Sequence, residues 1–307
     1  MTTNELAITA EHLRKIYGTV VAVDDISLEV RRGEIFGMVG PNGAGKTTAV
    51  ECIEGLRTPT NGHISVLGLD PQSDRFALRA RIGIQLQESA LQARIKVWEA
   101  IDLFASLYPR ATDWRSLLGD LGLADKSKAH FAELSGGQKQ RLFVALALVN
   151  DPELVFLDEL TTGLDPQGRH AMWDMVRSMR DRGKTIFLIT HYMEEAERLC
   201  DRVAVVDQGR IVAMDSPDSL IRGLGVAARV VFTVDGTVPL EQLRAMRGVS
   251  DVTVSSDRVT VSGSDESLLA DLINTLAQAS VRYHEVHTEQ PTLEDVFLRL
   301  TGRAMRE

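Results

Sequence analysis

Cysteine is scarce in this chain: Cys52 and Cys200 are the only two in 307 residues, and they form no metal-spaced pair. That excludes a disulfide-stapled fold and suits a reducing, cytoplasmic compartment. Long apolar runs are missing as well. A stretch such as Val144–Val149 falls far short of the ~20 residues that cross a bilayer as a helix. No membrane-spanning helix is predicted. The first residues, Met1 to Glu5, show no basic segment followed by an apolar run, so no signal peptide is expected. Positive charge is in deficit. A net charge of −9 argues against a broad nucleic-acid face, and no nucleic-acid partner is expected. Lysine supplies only seven of the 34 basic residues and none follows Lys184, a bias that suggests no function. With 44% hydrophobic and 25% charged residues the balance is that of an ordinary globular protein, long enough for two domains.

Two glycine turns dominate what is present. Gly40-Pro41-Asn42-Gly43-Ala44-Gly45-Lys46-Thr47-Thr48 follows the short apolar run Ile35–Val39 and leads into a helical stretch, Thr47–Leu56. Strand, glycine loop and helix in that order are the setting of a phosphate-binding loop. Its backbone N–H groups converge on an anion, and side chains in place of the glycines are expected to block that approach. Lys46 adds a point charge to the phosphates, Thr47 offers a hydroxyl to Mg²⁺, and the helix turns its positive end toward the anion. The second turn, Leu134-Ser135-Gly136-Gly137-Gln138-Lys139-Gln140-Arg141, reads as a helix start with a serine cap. Further on, Leu154-Val155-Phe156-Leu157-Asp158-Glu159 ends a buried strand in two carboxylates. Such a pair suits Asp158 to Mg²⁺ and Glu159 to polarising an attacking water.

Around these motifs the patterning sorts into layers. Residues 6–36 alternate apolar and polar, with turns at Gly18 and Arg32-Gly33, as in an antiparallel β region. From Lys96 to Leu123 apolar residues recur at helical spacing, which predicts a helical subdomain between the glycine turns. Val155–Leu157 and Thr185–Ile189 read as buried strands of a mostly parallel sheet. After about Gly223 the order becomes β-α-β-β-α-β, which suggests a small ferredoxin-like domain.

Taken together, the two glycine turns and the acidic strand resemble the ATP-binding-cassette (ABC) ATPases over residues 6–220. The resemblance implies an α/β fold. Its ABC-type P-loop core, residues 1–222, has a mixed central sheet, an N-terminal antiparallel β region and a helical subdomain at about 88–150. A small C-terminal α+β domain would follow over 223–307. It implies ATP and Mg²⁺ as ligands, with the metal held by Thr47, Gln87 and Asp158. It makes Glu159, His191 and Gln87 catalytic, and it places Tyr17 against adenine. Ser135, Gly136, Gly137 and Gln138 would cover the phosphate bound by a second copy, in a head-to-tail homodimer. Asp165 would lie in a loop that links the two sites. Two positions depart from the family pattern. Leu86 and Leu160 stand where proline is usual; the latter leaves the turn after Glu159 less constrained, and Gln85 offers an alternative register for Gln87.

A tail segment, Gln290-Pro291-Thr292-Leu293-Glu294-Asp295-Val296-Phe297-Leu298, resembles the closing segment of ATPase subunits of type-2 drug and antibiotic exporters of the daunorubicin-resistance type. Locally it also reads as an amphipathic helix with Leu293, Val296, Phe297 and Leu300 on one face. The resemblance implies a subunit that energises export through a separate integral-membrane permease, from the cytoplasmic face of the cell membrane. The segment Glu88–Tyr108 is the expected contact with that partner. A soluble ABC ATPase of translation or DNA repair is disfavoured, because one cassette and no long heptad run are present. An importer, or a lipid or polysaccharide exporter, stays open.

Overall fold

A computed structural model describes residues 5–85, 90–109, 111–225, 228–235, 238–263 and 267–302. The chain divides into two compact units, one ending at Pro217 and one beginning at Asp218.

In the first unit, β1 (Leu6–Tyr17) and β2 (Val20–Arg31) form a long antiparallel hairpin. Gly18, at φ 58°, makes its turn. β3 (Ile35–Val39) is wholly buried, as its unbroken apolar sequence requires. β4 (Asn61–Val66) returns to pair with β1. Four more strands, β5 (Ile82–Gln85), β6 (Leu154–Asp158), β7 (Thr185–Thr190) and β8 (Arg202–Asp207), run parallel with β3, and β9 (Arg210–Asp215) closes the edge antiparallel. The order is β5-β6-β7-β3-β8-β9, beside a separate sheet β2-β1-β4. β8 and β9 escaped the sequence reading.

The helix Lys46–Ile53 contributes Ala49, Val50, Cys52 and Ile53 to one apolar core shared by Ile8, Leu13 and Ile26 of the hairpin and Phe36, Phe156 and Phe187 of the central sheet. The three phenylalanine rings lie on adjacent strands, with centroids 5.4 Å and 5.6 Å apart. Between the two glycine turns the expected helical region is two helices, Val97–Ala105 and Trp114–Asp120, rather than one run. Gly136–Leu148 then carries the chain back toward the sheet. Gly83 of β5 is there because that helix packs close. A Cβ on it would stand 2.0 Å from the Ala147 carbonyl oxygen.

The second unit holds β10 (Ala228–Asp235), β11 (Val249–Ser255), β12 (Arg258–Gly263) and β13 (Arg282–Glu289) in one antiparallel sheet, ordered β11-β12-β10-β13. With helices Leu240–Arg244 and Leu268–Gln278 this is the ferredoxin-like arrangement. Alternate residues Val230, Phe232, Val259 and Val261 face Leu243, Leu268, Leu272 and Leu276. The closing helix Leu293–Thr301 starts at a capping box, where Thr292 N–H donates to Asp295 Oδ2 at 2.8 Å. Leu293, Val296 and Phe297 are buried, but Leu300 is not. The helix stops at Gly302, in the left-handed region, so its last turn extends beyond the apolar contact.

One ion triad fastens the sheet at the end opposite the strand tips. Glu153 accepts from Arg81 Nε at 2.6 Å and from Arg32 Nη1 at 2.8 Å. These guanidinium bonds hold its carboxyl down at about 2. The unfolded chain binds that proton at ~4.3. The triad's contribution is therefore complete above that value and disappears as pH falls through the folded one. Since Glu153 and both arginines are more than a third exposed at their side chains, or nearly so, solvent screening keeps the contribution below roughly 1 kcal/mol. Glu153→Gln should lower the urea midpoint slightly at pH 7 and by clearly less near pH 2, where the native carboxylate is half protonated. An equal effect at both pH values would refute the ionic origin.

Candidate active site

Parallel pairing sets β6, β7 and β3 side by side, with Asp158 opposite Ile189 and Thr190 opposite Val39. The chain leaving each strand tip therefore arrives at one place, the carboxyl edge where open α/β sheets bind ligands. Gly40 leaves β3, Glu159 leaves β6 and His191 leaves β7.

The loop from Gly40 is held by its own backbone. Ala44 N–H donates to Pro41 O at 3.1 Å, and Gly209 N–H donates to Ala44 O at 2.8 Å. A Cβ on Gly40 would lie 2.1 Å from Val206 O, and one on Gly45 2.2 Å from Ala22 O. At these two positions the obstruction would come from the protein's own strands. Gly43, at φ 79° with nothing close, needs glycine for its backbone conformation alone.

Lys46 opens the helix and is buried. Its Nζ donates to Gly40 O at 2.7 Å and Pro41 O at 3.0 Å. Burial lowers its pKa, and the negative charges of Glu159 and Asp158 pull it back up. Asp158 is pushed up to about 6, first by burial and then by the neighbouring Glu159, against the pull of Lys46. A cavity of about 410 Å³ opens over the loop. Asn42, Gly43, Gly45, Lys46, Thr47, Thr48 and Glu159 line it, together with Val20, Val21 and Ala22.

Those last three were missed from sequence. Val20 and Val21 are 63% and 42% exposed, and two solvent-facing valines beside the Gly18 turn were the available signal. Tyr17, expected against adenine, is not among the lining residues. Its half-exposed ring lies under Lys15 and Arg57, at 5.0 Å and 5.7 Å.

Glu159 takes φ 49°, in the left-handed region, where a residue with a side chain is strained. Several contacts hold it there. Its N–H donates to Ile189 O at 2.9 Å, and its carbonyl accepts from Thr162 N–H at 3.2 Å. Leu160, which stands in place of the family's proline, is fully buried, so side-chain packing anchors the turn. Glu159 and His191, both expected to be catalytic, bond directly, Nδ1 to Oε1 at 3.0 Å. With the carboxylate as acceptor, Nδ1 carries the proton. Thr162 Oγ1 stands 3.5 Å from the other oxygen.

The second glycine turn forms a separate feature. Ser135 N–H donates to Gln138 Oε1 at 2.9 Å, and Ser135 Oγ accepts from Gln138 N–H at 3.3 Å, a capping box on helix Gly136–Leu148. Ser135 and Gly136 are exposed, and none of Ser135, Gly136, Gly137 or Gln138 lines the cavity at Lys46. Asp165 is likewise outside it. Its Oδ1 accepts from Gly168 N–H at 2.6 Å and caps helix Pro166–Asp181. Gln87 lies outside the described residues; Gln85, the alternative register, is buried at the end of β5.

The donor set fits a metal nucleotide better than a free ion. Among the described residues no three His, Cys, Asp or Glu side chains gather as a metal cage. Magnesium typically takes one or two protein ligands and completes its shell with phosphates and water. Asp158, half-buried with a raised pKa beside a second carboxyl, is short of positive charge, and Thr47 offers an exposed hydroxyl nearby in the loop.

Comparison with known proteins agrees with that geometry. The family profile described as ABC transporter matches residues 23–162. The chain is 38% identical over 306 residues to the daunorubicin resistance ATP-binding protein DrrA3 of Streptomyces coeruleorubidus, spanning 97% of this chain and 96% of that protein. It is 41% identical over 312 residues to the Nod factor export ATP-binding protein I of Neorhizobium galegae, spanning 98% and 87%. A solved dimeric structure of a bacterial ABC transporter cassette is 25% identical and superposes with a TM-score of 0.60, covering 68% of this chain and 98% of that one.

Lys46→Ala tests the loop. Losing a charge-assisted bond to phosphate, of roughly 1.5–3 kcal/mol, should weaken ATP binding about ten- to hundredfold. Isothermal titration with ATP reads this directly, and an unchanged affinity would remove Lys46 from the site.

Proposed function

The chain belongs to the ABC transporter family of ATP-binding subunits, and from that premise we propose that it energises a two-part exporter by closing on ATP against a separate membrane permease. ATP binding and hydrolysis go with the family. The observation that carries the local reading is the Glu159–His191 pair, bonded at 3.0 Å, with Glu159 on the rim of the cavity that holds Lys46.

The residues divide the work. Lys46 and the loop N–H groups hold the β- and γ-phosphates, while Val20 and Val21 offer an apolar wall to the rest of the nucleotide. Tyr17 is the further candidate for the adenine face. Glu159 orients the attacking water, and His191 fixes its carboxyl on one side and reaches toward the γ-phosphate. Thr47 and Asp158, with Gln87 as the family resemblance implies, would hold Mg²⁺, which would supply positive charge to offset the phosphates.

The exposed, capped Ser135–Gln138 turn lies away from its own chain's cavity, which supports its use on a second copy. Two chains head to tail then enclose two ATP molecules, with Asp165 between the sites. The similar cassette solved as a dimer adds to this reading. Among the described residues no helix is long and apolar enough to cross a membrane, so the transport pathway is assigned to a permease at the cytoplasmic face. Helix Val97–Ala105 and the turn after it expose Leu103 and Leu107, a suitable dock for that partner. The relatives' names, one of daunorubicin resistance and one of Nod factor export, favour outward transport. Drugs, antibiotics or other hydrophobic small molecules are the proposed cargo, a reading supported by the resemblance of the tail segment 290–298 and by the daunorubicin-resistance relative.

Glu159→Gln keeps the shape of the side chain and removes its negative charge. Turnover should fall roughly 10²–10⁴-fold while ATP binding persists and a closed dimer accumulates on size exclusion. Wild-type turnover in this variant would overturn the assignment. Ser135→Arg separates the two halves of the composite site. Isolated monomers should bind ATP normally, yet hydrolysis should drop by an order of magnitude or more, about 1.4 kcal/mol in barrier terms. If the monomers lose ATP binding, the turn serves its own chain.

A further inference from the structure

Glu195 is a carboxyl with no exposure to solvent, on the short helix Met193–Leu199 that follows His191. Isolated buried carboxylates are costly, so such a group is either paired or neutral. Among the described residues its one formed side-chain bond is from Trp173 Nε1 to Oε1, at 3.2 Å. Oε2 and Thr161 Oγ1, both fully buried, form no hydrogen bond of good geometry. Burial raises the pKa of Glu195, while the Thr190 and Thr161 hydroxyls, the Trp173 N–H and the Arg169 charge oppose that rise. Thr190 and Thr161 thus face the same carboxyl from two directions. Thr190 ends β7, next to His191; Thr161 stands two residues after Glu159.

This placement matters because of the backbone at Glu159. A left-handed conformation in a residue with a side chain persists only where its surroundings over-determine it. Leu160 and Thr161 are the two buried residues of that turn. The turn continues through the Leu164 N–H to Thr161 O bond, 3.2 Å, to the Asp165 cap. Whatever holds Thr161 in place also holds Glu159.

We propose that Glu195 is the positioning residue that ties the Glu159–Asp165 turn to the end of β7, keeping Glu159 and His191 in register. Its Oε1 accepts from the Trp173 N–H, and the carboxyl faces the two threonine hydroxyls. Thr190 Oγ1, already engaged as acceptor by Tyr192 N–H at 3.0 Å, still has its own proton to give. Glutamine keeps an oxygen that can accept and adds an amide that can donate to a threonine oxygen; alanine offers neither. This inference rests on the reading of Glu159 as the residue that orients water, and it concerns a group that touches no nucleotide.

The test compares Glu195→Ala, Glu195→Gln and Thr161→Val in full-length protein, reading steady-state ATP hydrolysis and hydrogen exchange of the peptide covering residues 159–168. Glu195→Ala should lower kcat about tenfold or more, with KM for ATP moved less than about threefold, and should speed exchange in that peptide. Glu195→Gln should rescue both, to within about threefold of wild type in kcat. Thr161→Val, a near-isosteric change that spares folding, should show a milder form of the alanine defect. Wild-type exchange in residues 159–168 for both Glu195→Ala and Thr161→Val overturns the positioning role. So does a glutamine variant as impaired as alanine. Faster exchange with unchanged kcat keeps the structural tie and rejects the catalytic role of Glu159 instead, so the two readings fail separately.

Discussion

Parallel pairing brings the tips of β6, β7 and β3 into one row, and the reactive groups of the first unit hang from those tips. Neither Glu159 nor His191 reaches the other by sequence; they are 32 residues apart and meet because their strands are neighbours. The phosphate loop joins them through β3, the next strand along. The buried apolar runs of these strands therefore do more than fill a core. Backbone pairing sets the spacing at which a charge, an acid and an imidazole are presented together, and Phe36, Phe156 and Phe187 pack across those strands.

How much of this was legible depended on whether a feature was local. The strand–loop–helix around Lys46 and the cap at Ser135 are written in consecutive residues, so residue type and spacing identify them. The order β-α-β-β-α-β in the tail could be read for the same reason, since each strand alternates over a few residues. What escaped reading came from pairs distant in sequence. No pattern near Gly40 or Gly45 reveals that Val206 O and Ala22 O press against them. The Leu160 departure looked like a loosened turn, because proline's constraint is local while the burial that replaces it is not. Leu300 erred in the opposite way. Helical spacing put it on the apolar face, but the helix runs past the surface that this face covers.

The two relatives share nearly the whole chain with this one, yet their names point to different exported molecules. That divergence is what a cassette without a transport pathway should show. Its cavity at Lys46 is lined by the glycine loop, Val20, Val21 and Glu159, none of which forms a path across a membrane. Under the proposed reading, specificity would enter where the cassette meets its permease, which gives weight to the exposed Leu103 and Leu107.

The charges of the site are arranged for a ligand rather than for the empty protein. Lys46 is buried with two carbonyl oxygens for partners, and burial lowers its pKa. Asp158, beside Glu159, is raised to about 6. Each group is thus held in surroundings that disfavour its charged form, a cost that folding alone does not recover. A polyphosphate brings negative charge to Lys46, and the cation that accompanies it brings positive charge to Asp158. Both deficits are met by the same ligand. Under the proposed reading, binding a metal nucleotide would complete the electrostatics of the strand tips, and it would do so at the groups that those tips already present together.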